Sequence, residues 1–112
     1  MSEKCIVAKI KEVYGDGMGT VDWHAGEAFS PDRWAELMRL ALPEGGYNLF
    51  SVDEAHAWLG SHSVTLEPAR EGSVAVYVHG PRAVLERIRK EAEDHGVDEA
   101  HHEIDSLRLW WD

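Results

Sequence analysis

Seven histidines among 21 acidic side chains set the chemical character of this 112-residue chain. Imidazoles and carboxylates are the groups of metal sites and of proton transfer near neutral pH. The word VDEAH occurs twice, at 52–56 and 97–101, and places Asp, Glu and His together each time. As D-E-A-H it spells a magnesium-coordinating helicase motif. That chemistry needs a GxxxxGK[ST] phosphate loop and two large domains, and the chain has neither.

Metal ligation is the next candidate chemistry. His101 and Glu103 would share a strand face, a workable separation for two ligands, with His95 nearby and His56 and His62 upstream. Adjacent His101 and His102 would point to opposite faces, however, and no H-x-x-x-H or H-x-x-E-H spacing occurs. His101 and Glu103 therefore remain weak metal candidates, and no cofactor is expected. Histidines this close to acids would still change the local charge near neutral pH.

Covalent catalysis finds no nucleophile elbow and no Ser or Cys with a recognisable base. Asp22, His24 and Glu27, beside Trp23, could build a general acid–base pair, as any acidic surface loop could. The lone Cys5 lies in an apolar run and reads as a small buried hydrophobe. It excludes an intramolecular disulfide and suits a reducing compartment. The GDGMG stretch at 15–19 is followed by a β-like run rather than a helix start, so it reads as a hairpin tip and not a phosphate cradle.

Charge narrows the function classes. The formal net charge is −10, and residues 91–105 hold seven acids, three histidines and no Lys or Arg. Phosphate backbones are bound by Lys and Arg, so direct nucleic-acid binding is not expected. Lys9 and Lys11 interrupt the N-terminal apolar run, and no stretch approaches a bilayer span of about 20 residues. The expectation is a single cytoplasmic domain over 1–112, with no membrane contact.

The elements that would position these groups follow from hydrophobic period. CIVAKIKEVY (5–14) alternates, with Ile6, Ala8 and Ile10 on one face and Val7, Lys9 and Lys11 on the other, and reads as a strand. TVDWH (20–24) returns from it. Ser30 caps a helix carrying Trp34, Leu37, Met38 and Ala41, which ends by Pro43. Ser51 and Glu54 have capping-box spacing, so the first VDEAH starts a short helix near 52–59. SHSVTLEP (61–68) is a strand, AREGS a turn, and SVAVYVHG (73–80) the clearest strand. PRAVLERIRKEAEDHG is the longest helix, with Glu86→Lys90 and Arg89→Glu93 pairs outside. LRLWW closes the chain as a strand, with a bulge or turn at Asp105 and Ser106.

That order is β-α-β-β-α-β: a ferredoxin-like α+β two-layer sandwich with an extra N-terminal hairpin arm and the short helix near 52–59. The two VDEAH copies fall at equivalent places in its halves, but the letters around them do not align. Helices would cover one sheet face, leaving Val7, Lys9, Lys11, Thr65, Glu67, Ala75, Tyr77, His79, Arg108 and Trp110 on the other. Lys9, Tyr77, His79, Arg108 and Trp110 have the composition of an interface. Trp23, on the arm, could act as a lid over that face.

Two functions are expected from these features. One is a non-enzymatic protein-binding module, an inhibitor occupying a basic nucleic-acid-binding or toxin-like partner. Glu91, Glu93, Asp94, Asp98, Glu99, Glu103 and Asp105 would steer association. The other is a small enzyme or ligand binder with a pocket on the open sheet face, dimerising through that face.

Overall fold

Residues 5–14 belong to a helix, not to the expected strand: α1 spans Glu3–Gly15. Ile6, Ile10 and Val13, spaced i, i+4, i+7, are buried, while Ala8 is exposed. Positions 6 and 10 satisfy both a period of two and a period of 3.6, and Ala8 and Val13 decide for the helix. Val7, Lys9 and Lys11 therefore lie on a helix and not on a sheet face. Cys5 is exposed rather than buried, because it sits one residue off the core stripe.

The computed structural model describes residues 3–15, 22–42, 46–47 and 50–111. The proposed hairpin tip at 15–19 lies outside them, apart from Gly15 as the last residue of α1. Asp22–His24 forms β1, and Pro31–Ala41 forms α2. The Ser30 hydroxyl accepts the Arg33 N–H at 3.2 Å, closing the α2 N-terminus as expected. Gly46–Tyr47 (β2) and Phe50–Ser51 (β3) make a small two-stranded ladder.

Val52–Leu59 is α3, and it carries the first VDEAH. Ser51 Oγ accepts the Glu54 N–H at 3.3 Å, so the cap anticipated from spacing is present. Ser51→Ala should lower stability by about 1 kcal/mol, read as a shift of the urea midpoint; an unchanged midpoint would remove the cap from the account. Asp53 and His56 then tie α3 to α2. Arg39 donates to Asp53 Oδ1 at 3.1 and 2.9 Å and reaches His56 Nδ1 at 3.2 Å. The other ring nitrogen of His56, Nε2, lies 2.7 Å from Asp32 Oδ1.

The main sheet is antiparallel and five-stranded, in the order β1-β4-β5-β7-β6. Its other members are Thr65–Glu71 (β4), Ser73–His79 (β5), Glu99–His102 (β6) and Leu107–Trp111 (β7). AREGS is not a loop: Ala69, Arg70 and Glu71 continue β4. Gly72 alone turns the hairpin, at φ +74°, where a side chain would be strained. Arg82–Glu91 (α4) runs into a 3₁₀ turn, Ala92–His95, and Gly96 stops it at φ +75°. Glu86 pairs with Arg89 at 2.6 Å and with His102 at 2.7 Å, instead of with Lys90.

The chain is thus a mixed α+β fold, but the strand expected at 5–14 is α1, and β1 pairs with β4 at the sheet edge instead of forming an N-terminal hairpin arm with it. One apolar core unites α1, α2, α3 and α4 with a single sheet face. Ile6, Trp34, Leu59 and Ile88 meet Leu66, Val76, Val78, Leu107, Leu109 and Trp111 there. Phe50 is wedged edge-on between Trp34 and Trp111, with centroids 6.2 and 5.0 Å away. No helix among the described residues is long and apolar enough to cross a membrane.

Candidate functional site: the open sheet face and its acidic edge

Because strand side chains alternate, the register assigns the face turned away from the helices. Asp22 and His24 of β1 lie on it, with Glu67, Ala69 and Glu71 of β4 and Ala75, Tyr77 and His79 of β5. Arg108 and Trp110 of β7 and Glu99 and His101 of β6 complete it. Tyr77, His79, Arg108 and Trp110 are where the sequence places them. Lys9 is not: it sits on α1, 3.4 Å from Glu12. Trp23 points to the core side, opposite Arg70, so it is no lid over this face.

Glu71 is the hub of the face. Tyr77 Oη donates to its Oε2 at 2.5 Å, and His24 Nε2 lies 2.9 Å from the same oxygen. Arg108 Nε donates to Oε1 at 2.5 Å, and Trp110 Nε1 donates to the Glu71 carbonyl at 2.8 Å. Burial would raise the Glu71 carboxyl, but the Tyr77 and Arg108 hydrogen bonds outweigh it and hold the group below the usual glutamate range. Burial, then the Glu71 hydrogen bond and charge, push the Tyr77 phenol well above its ordinary value. Glu67 repeats the arrangement beside it, accepting from Gly26 N–H at 2.7 Å with His79 Nε2 at 3.4 Å.

Chemically, this face is saturated. Both Glu71 oxygens are engaged, and neither an ionised Glu71 nor a neutral Tyr77 is set to move a proton near neutral pH. The expected acid–base trio is split: His24 joins Glu71, Asp22 lies opposite Glu71 on the neighbouring strand, and Glu27 is exposed in the loop that follows. Glu71 and Glu99 are the members that sequence reasoning missed as network residues. The alternation Thr65, Glu67, Ala69, Glu71 could have found the first, but inward Pro68 and Arg70 obscure it.

The edge beside this face is β6, which contains the last three residues of the second VDEAH. Glu103 N–H donates to Ser106 O at 2.8 Å, fixing the phase of the β6–β7 ladder. Glu99 and His101 therefore turn their backbone groups to β7, and those of Ala100 and His102 point out of the sheet. No strand pairs with that outer side among the described residues. The expected break at Asp105 and Ser106 is the turn between β6 and β7.

Acids frame this edge. Glu93, Asp94, Asp98, Glu99, Glu103 and Asp105 are exposed, and Ile104 at the tip is 94% exposed. Glu99 Oε1 also receives Arg108 Nη1 at 3.3 Å. Glu91 belongs elsewhere: it accepts from Trp58 Nε1 at 2.9 Å and lies 3.0 Å from His62 Nε2. The Trp58 hydrogen bond leads in holding the Glu91 carboxyl below its usual range, against partial burial. Glu86 is held lower still, at about 2, by the Arg89 and His102 hydrogen bonds.

Each of the seven histidines has a ring nitrogen 2.7–3.9 Å from a carboxylate oxygen. These are pairs rather than clusters. Among the described residues no three His, Cys, Asp or Glu side chains are grouped to hold a metal ion. His101 lies 3.4 Å from Glu99, and Glu103 falls just beyond β6. Against this geometry, no protein-family model, curated protein or solved structure matches the chain.

Proposed function

We propose that this chain is a non-enzymatic protein-binding module whose acidic β6 edge takes up an extended, basic segment of a partner protein. One observation carries the reading: the outer side of β6, with which no strand pairs among the described residues, lies in a stretch, 91–105, with seven acids and no Lys or Arg. An open edge supplies main-chain donors and acceptors for an added strand, and side chains beside it set specificity. Carboxylates on both flanks of β6 would favour Lys and Arg in that strand and speed its encounter. A partner whose basic segment serves nucleic-acid binding or toxicity would be inhibited by occupation alone. The saturation of the Glu71 network supports binding over catalysis.

Glu93→Gln, Asp94→Asn, Asp98→Asn and Glu99→Gln together should slow association at low salt by about tenfold or more and flatten its salt dependence. The measurement is the association rate of an extended peptide alternating Lys and Val, together with partners captured from the native host at low and moderate salt. The same peptide N-methylated at alternate residues should lose binding, because it cannot complete the ladder. An association rate untouched by the four neutralisations would sink the acidic-edge reading.

A further inference from the structure

The helical state of residues 3–15 creates a stripe that a strand would have scattered. Lys4, Val7, Ala8 and Lys11 fall at i, i+3, i+4 and i+7 and share one face of α1. Across from them α2 presents Arg33, Leu37 and Leu40, again at helical spacing. These seven side chains line a groove of about 510 Å³. That size lies within the roughly 300–1,000 Å³ of small-molecule clefts. Leu40 is 56% exposed along it, one of two large hydrophobic side chains so displayed among the described residues.

We infer that this α1–α2 groove binds a single-chain anionic amphiphile, a long-chain carboxylate, its head at one of the basic ends of the groove, where Lys4 and Lys11 stand about 10 Å apart along α1 with Arg33 across from them, and its tail along Val7, Leu37 and Leu40. Charge complementarity selects the occupant. Three of the chain's 11 basic residues surround one apolar recess in a protein of net charge −10, whereas residues 91–105 contain none. Lysine stems lie along apolar surface while their ammonium groups stay at its rim, which matches an acyl chain ending in a carboxylate. Arg33 also pairs with Glu36, so the two lysines are the principal counter-charges. An anionic bilayer would be repelled by the protein's overall charge.

The test is calorimetric titration with sodium dodecanoate below its micelle concentration. A saturable one-to-one isotherm is expected, with dodecyltrimethylammonium binding about tenfold weaker or worse. The exposed double change Lys4→Glu with Lys11→Glu should weaken dodecanoate by a similar factor while the far-ultraviolet melting curve persists. Leu40→Ser, also at an exposed position, should weaken both amphiphiles and serves as the second variant. The proposal is overturned by absent saturable binding, by equal affinity for the cationic amphiphile, or by indifference to the lysine changes. Co-sedimentation with phosphatidylglycerol vesicles without binding of monomeric dodecanoate would also overturn it, in favour of a membrane surface.

Discussion

Trp34→Ala should cost about 3–5 kcal/mol, a large part of the roughly 5–15 kcal/mol that holds a domain of this size together. Trp34 is 0% exposed and is the largest of the fully buried side chains. It joins α2 to Phe50, which in turn packs on Trp111 of the sheet. Removing it opens a cavity that α1, α2 and the sheet can only partly collapse into. Trp34→Phe should be much milder, within about 1.5 kcal/mol. The indole N–H is buried without a hydrogen-bond partner among the described residues, so Phe sheds that donor while keeping most of the ring. Urea unfolding of both variants checks the pair. An Ala variant within about 1 kcal/mol of wild type would mean that Trp34 is not the keystone between α2 and the sheet.

Elements with a long, one-sided signal were legible in the sequence. α2 carries Ser30, Pro31 and an unbroken stripe from Trp34 to Ala41; β5 and β7 alternate cleanly. α1 was not legible, because Ile6 and Ile10 fit two periods at once and the lysines lie on the exposed side in either. β6 was missed as an element in its own right because Glu99, Ala100, His101 and His102 carry no apolar pattern. It is a strand because β7 pairs with it, a tertiary cause invisible to local period. The open face was legible at Tyr77, His79, Arg108 and Trp110, whose strands were correctly phased. Its hub was not, because a single glycine can turn a hairpin and AREGS looked too polar to be strand. The two VDEAH copies show the same principle. One forms the first turns of a helix and pins it to α2 through Asp53 and His56; the other runs into a strand on the sheet edge, so identical letters take their structure from their neighbours.

Glu71→Ala should be the most damaging polar substitution on the open face, costing about 2–3 kcal/mol. The loss exceeds one hydrogen bond because the change takes a carboxylate partner from three groups at once: the Arg108 guanidinium, which keeps only Glu99, the Tyr77 hydroxyl and His24. Glu71→Gln keeps the shape but removes the charge and offers one acceptor oxygen where two now work, so it should fall between wild type and Ala. Acid sensitivity separates the charge from the shape. The folded-state carboxyl lies below its unfolded value, so its contribution is complete above the unfolded glutamate range, near 4.3, and disappears as pH falls through the lower folded value. Wild type should therefore lose stability across that acid window more steeply than Glu71→Gln, with the two curves converging at the acid end. Tyr77→Phe, which deletes one donor to Glu71, should shift the wild-type loss to higher pH. Parallel wild-type and Gln curves from pH 7 down through the acid window would show that Glu71 acts by shape alone, and the charge-centred account of the face would fail.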